Sequence, residues 1–147
     1  MMHAGRFRDA EALDSQQYDN ALAEGSLEAQ AIFAWHTCMG VGERGQARDT
    51  IRIALEGLAL IDYLNRPQFT YLTLVYLALA HALNGEPEKA GAALVTLDGL
   101  DLSVTFYMGI DLLLARAWTA VGVARRLPAC RGRTARSRRP DRSRWIR

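Results

Sequence analysis

The sequence predicts an all-α protein, arranged as a right-handed helical-repeat solenoid of about six helices. Three observations predict it. No alternating polar and apolar run exceeds a few residues, and Ala and Leu outnumber the β-branched residues, so strand signals are nearly absent. Apolar side chains recur at helical spacing in segment after segment. A Gly followed five residues later by Ala also returns along the chain, as Gly5 to Ala10, Gly42 to Ala47 and Gly85 to Ala90, in steps of 37 and 43 residues. Self-similarity at such intervals marks a repeat array rather than a closed bundle.

The first repeat element, after Gly5, reads as a second helix without its first, so the chain is expected to begin in mid-repeat. The next helix starts after Ser26, a good N-cap, with Ala29, Ile32, Phe33, Trp35 and Met39 on one broad face. Gly40, Gly42 and Gly45 are expected to interrupt it, since Gly disfavours a helix interior by about 1 kcal/mol against Ala. A helix from about Gln46 to Tyr63 carries Ala47, Ile51, Ala54, Leu55, Leu58 and Ile61 at helical spacing. It ends at Asn65 and Arg66, because the residue before Pro67 is pushed out of the helical region. Phe69 to Leu83 forms the next helix, and Asn84, Gly85, Glu86 and Pro87 form a turn, with Gly past one helix and Pro opening another. Pro87 to Leu97 follows, and Ser103 or Thr105 caps a last helix that passes through Trp118 to about Val121.

The formal net charge of +2 conceals two materials: residues 1 to 124 balance at −7, and residues 125 to 147 at +9, with ten Arg against Asp141 alone. The predicted organisation is therefore a repeat domain over 1–124 and a disordered basic tail over 125–147. Past Gly122 an Ala near position 127 would continue the repeat, but Leu127, Pro128 and an arginine-rich run stand there. Lys89 is the only Lys among 18 basic residues, the usage of a high-GC genome in which out-of-frame reading yields Arg, Pro, Gly and Ser. Val123 to Arg147 is accordingly expected to be a frameshifted or degenerate end. Met1 to Asp14 lacks a signal-peptide core, so the cytoplasm is the expected compartment. Phe69 to Leu83 is too short to cross a bilayer, and Phe106 to Ala124 carries Asp111 and Arg116, so both are expected to be buried helices. Cys38 and Cys130 supply no disulfide framework.

The phrases Leu77 to Ala90 (LALAHALNGEPEKA) and Leu112 to Val121 (LLLARAWTAV) resemble the degenerate tetratricopeptide-type repeats in the MalT-like helical region of large LuxR-family transcriptional regulators. Arg48 to Leu60 (RDTIRIALEGLAL) is similar to the second helix of such a repeat. The resemblance spans roughly residues 5 to 122, although the tetratricopeptide period is about 34 residues. It implies a tetratricopeptide-like fragment of a regulator's sensor region, binding a protein partner or small effector. If the repeats are arranged as in tetratricopeptide domains, their first helices line a concave face. Ile32, His36, Met39, Arg116 and Thr119 are then the partner-binding candidates.

Site motifs are sparse. Gly40 to Gly45 spells GxGxxG, but it follows a helical stretch and Gln46 stands where a phosphate-binding loop has Lys, so it reads as an inter-helix turn. His36 and Cys38 lie two apart, which on a helix points them away from each other, and no second cluster completes a zinc site. His81, in an apolar helix, reads as a satisfied core residue. No hydrolase, metalloprotease or paired-carboxylate motif is present, so neither catalysis nor a cofactor is expected. Asp111 and Arg116 are five apart, too far for an ideal pair, and either can face a partner groove. The apolar edge of the last helix, including Trp118, is expected to drive self-association. The other functional class is nucleic-acid contact through Arg125, Arg126, Arg131, Arg133, Arg136, Arg138, Arg139, Arg142 and Arg144, whose grip on phosphates would weaken as salt rises.

Overall fold

A computed structural model describes residues 6–100 and 109–126. Among these residues the chain forms six α-helices and no strand: α1 Phe7–Ala23, α2 Leu27–Glu43, α3 Ala47–Leu64, α4 Pro67–Leu83, α5 Pro87–Asp98 and α6 Gly109–Arg126.

The turns set the architecture. Gly25, Gly45, Asn65 and Gly85 have φ of 67°, 73°, 51° and 77°, the left-handed region that Gly and Asn enter at least cost. They stand 20 residues apart, so the unit is one helix and one turn. The amide of the residue after each turn glycine then reaches back to the helix it leaves, Ser26 to the Ala21 carbonyl at 2.9 Å, Gln46 to Val41 at 3.3 Å and Glu86 to His81 at 2.9 Å. These bonds satisfy carbonyls that a helix end otherwise leaves open. The Ser26 hydroxyl accepts from the Ala29 amide at 3.4 Å, as an N-cap should. Pro67 and Pro87 occupy first helical positions, where a missing N–H is harmless. Burial keeps the same beat: Asp14, Ala34, Ala54, Leu74 and Leu94 are all buried.

The expected glycine interruption of α2 does not occur. The helix runs through Gly40 and Gly42 to Glu43 and turns only at Gly45. Gly42 serves packing, since a Cβ there would lie 3.1 Å from Cδ1 of Tyr76. Gly122 is likewise inside α6, where a Cβ would meet that of Pro87 at 2.9 Å. The steps of 37 and 43 residues thus mixed helix-contact glycines with turn glycines. The last helix also runs past Val121 to Arg126, so Arg125 and Arg126 belong to α6 and not to the tail. Arg126 is held there by the Glu88 carboxylate at 2.8 and 2.9 Å and by the Gly85 carbonyl. The expected caps Ser103 and Thr105, Cys130 and the arginines from Arg131 onward lie outside the described residues.

Each helix packs on its chain neighbours. α4 packs in addition on α2 and α6, whereas the odd-numbered helices make no comparable contact with one another. α4 is therefore the hub, with Tyr71, Leu74, Val75, Tyr76, Leu77 and Ala78 in the core beside Cys38, Met39, Ala54, Leu94, Leu97 and Ala115. Each large apolar side chain enclosed there contributes about 1.5–3 kcal/mol. Among the described residues no helix is long and apolar enough to cross a membrane.

Two glycines with opposite surroundings test this packing. Gly91, inside α5, faces open space, and Gly122 faces Pro87 at a distance no real Cβ tolerates. Gly91→Ala is expected to stabilise by about 0.5–1 kcal/mol through helix propensity. Gly122→Ala is expected to destabilise by about 1–3 kcal/mol, because α5 and α6 must separate. Urea unfolding midpoints of the two variants check both signs.

Candidate functional site

The five partner-binding candidates do not share one surface. Ile32 is half-buried on α2. His36 is half-exposed, with Nδ1 3.7 Å from Oδ1 of the buried Asp14 and its ring edge-on to Trp35 at a centroid distance of 4.6 Å. Met39 is only 4% exposed and belongs to the core, because α4 lies against the end of α2 that carries it. Thr119 is buried too, its hydroxyl donating to the Ala115 carbonyl at 2.7 Å. Arg116 is exposed and binds Asp98 at 2.6 Å, tying α6 to the end of α5. Met39 and Thr119 are therefore buried within the fold and are not surface contacts.

What α2, α4 and α6 do build is a groove. One recess of about 290 Å³ is lined by Glu43, Tyr76, Leu83, Asp111, Leu114 and Trp118 among others. A second of about 390 Å³, lined by Pro87, Val121, Arg125 and Arg126, shares Leu83 and Trp118 with the first. The Tyr76 hydroxyl donates to Oδ2 of Asp111 at 3.4 Å. Burial, then the neighbouring Asp111 and Glu43 carboxylates, raise the Tyr76 pKa well above its ordinary value, so the phenol stays a donor. Carboxylates thus mark one end of the groove and guanidinium groups the other, with apolar side chains between. Asp111 faces this groove and Arg116 does not line it.

The outer face of α6 is apolar and uncovered. Ile110 and Leu113 are 74% and 68% exposed, and Leu114, Trp118 and Val121 are 40–44% exposed. Their spacing of three and four residues makes one stripe. The apolar edge with Trp118 was legible in the sequence. The Tyr76–Asp111 contact was not, since nothing local relates residues on two helices.

Cys38, His81 and Glu86 are engaged within the fold. Cys38 is fully buried with Sγ 3.8 Å from the Thr50 carbonyl, and burial pushes its thiol up to about 12, so it is no nucleophile near neutral pH. His36 and Cys38 lie on different faces, as their spacing predicts. His81 is buried with Nδ1 2.8 Å from Oε2 of Glu86, while Oε1 of the same carboxylate binds Lys89 at 2.8 Å. Hydrogen bonds from Lys89, His81 and Asn84 hold the Glu86 carboxyl down to about 2. Among the described residues no three His, Cys, Asp or Glu side chains are grouped so as to hold a metal ion. No family model, no curated protein and no solved structure matches this chain.

Glu86 and Asp14 give stability opposite dependences on pH. The Glu86 pKa falls on folding, so its contribution is present above 4.5 and is lost as pH drops towards 2. The Asp14 pKa rises from 3.8, chiefly through burial, so the charged form is a cost above the raised value that disappears as pH falls through it. Glu86→Gln is expected to be less stable than the parent at pH 7, and Asp14→Asn more stable. Both gaps should narrow in denaturant titrations repeated at about pH 3, between the folded and ordinary values of Glu86.

Proposed function

We propose that this chain is a non-catalytic interaction module, a right-handed solenoid segment of tetratricopeptide-like repeats that holds a partner by surface contacts. Its resemblance to the MalT-like region makes it a piece of a LuxR-family regulator's sensor. The repeat reading is supported by the left-handed turns at 20-residue intervals and by α4 packing on both α2 and α6. The observation that carries the binding reading is the uncovered apolar stripe of α6, beside the groove that Trp118 also lines. In a repeat array each flank is covered by the next helix, so this flank is shaped for another helical surface. Arg126 is paired with Glu88 in this arrangement.

In a purified sample the partner at hand is a second copy of the chain. Light scattering is expected to show mass rising with concentration, and Trp118→Glu, which sets a charge in the middle of the stripe, should return the protein to a monomer with unchanged helicity. A folded parent that stays monomeric at about 100 μM, where interfaces of even modest affinity associate, would count against the proposal.

A further inference from the structure

A separate cleft of about 260 Å³ opens between α1, α2 and α3. It exists because α1 and α3 both pack on α2 without comparable contact between themselves. Its floor is made by Ala34 and Gly57, and its apolar walls by Ile53 and Leu60. Gly57 lies inside α3, where Gly disfavours the helix. The packing does not require it, since a Cβ there would meet the Ala34 Cβ at an ordinary 3.4 Å. The missing methyl leaves floor space unclaimed.

The rim carries a net charge of −1, from Asp19, Glu56 and Arg52. Arg52 is already engaged by both Glu56 oxygens at 3.1 and 3.2 Å. Asp19 makes no hydrogen bond or ion pair with any described residue, and Tyr18 stands beside it on the same rim. A carboxylate without a partner, next to an aromatic ring and above an apolar floor, complements an ammonium group attached to an apolar body. At roughly 30 Å³ for each water-sized group the cleft accommodates on the order of nine heavy atoms.

We propose that this cleft binds a small arylalkyl amine, with the ammonium at Asp19 and the ring over Ala34 and Gly57. α6 does not line it, so the proposal stands or falls separately from the self-association reading.

The test is a titration of the full-length, isotope-labelled chain with 2-phenylethylamine at pH 7, followed by amide chemical shifts. Saturable shifts are expected around the cleft on α1, α2 and α3. The neutral isostere 2-phenylethanol should bind about fivefold more weakly, and Asp19→Asn should weaken the amine by about the same factor, the scale of one partly screened ion pair. Gly57→Ala should raise the melting temperature while weakening binding, which a merely structural role for Gly57 would not produce. Absence of saturation at millimolar amine, equal affinity for amine and alcohol, or shifts confined to the α4–α6 groove would each overturn the assignment.

Discussion

A helix with apolar side chains on every side must be surrounded, and α4 is such a helix. Ten of its residues are buried, from Tyr71 to Ala82, and no single neighbour can cover them. α3 and α5 reach α4 through tight turns, while α2 and α6 reach it from a full helix further away in the chain. Tyr76, 2% exposed, lies against Gly42 of α2 and bonds Asp111 of α6, so one side chain joins three helices. The enclosure is not free of conflict. Trp35 Nε1 and Thr73 Oγ1 are buried without a hydrogen-bond partner, each an unfavourable contribution of about 1–3 kcal/mol that the apolar contacts around them offset.

Most helices were legible because their signals are local. Ser26 as a cap, the Asn65 to Pro67 stop, the Asn84 to Pro87 turn and the continuous apolar run of α4 each act within a few residues. The repeat interval was not legible, for a physical reason. Asn65 takes a left-handed turn position that Gly holds at 25, 45 and 85, and this breaks the glycine pattern. Gly42 and Gly122, present for the sake of Tyr76 and Pro87, imitate turn glycines. Backbone dihedrals separate the two roles, and residue identity alone does not. The end of α6 is not readable locally because Arg125 and Arg126 look like tail until Glu88, 38 residues away from Arg126, pins Arg126.

The binding features were legible in proportion to how local they are. The α6 stripe sits on one helix and shows as a period. The groove and the cleft are made between helices from residues that are unremarkable one at a time. Asp19, Ala34 and Gly57 become a site only when α1 and α3 straddle α2. The one sequence signal was Gly57 in the middle of α3, an otherwise strongly amphipathic helix. Met39 and Thr119 were misjudged for the converse reason. An inward face cannot be told from a partner-facing one until neighbouring helices are placed, and the helices that cover these two residues lie elsewhere in the chain.

The ion pairs explain why α6 is both well placed and weakly held. Arg44–Glu11, Arg66–Glu28, Arg116–Asp98 and Arg126–Glu88 each join different parts of the array, and all are substantially exposed. Exposed pairs contribute about 0–1 kcal/mol apiece, so they fix register more than they stabilise. α4 and α5 are secured by apolar burial, but α6 buries only Ala115 and Thr119. Two of the four pairs act on α6, both through its arginines. The helix with the largest uncovered apolar stripe is thus the one with the least buried anchor, and local opening favours such an element. A surface laid over Ile110, Leu114, Trp118 and Val121 would bury what α6 now exposes and secure the helix through the same interaction that already encloses α4.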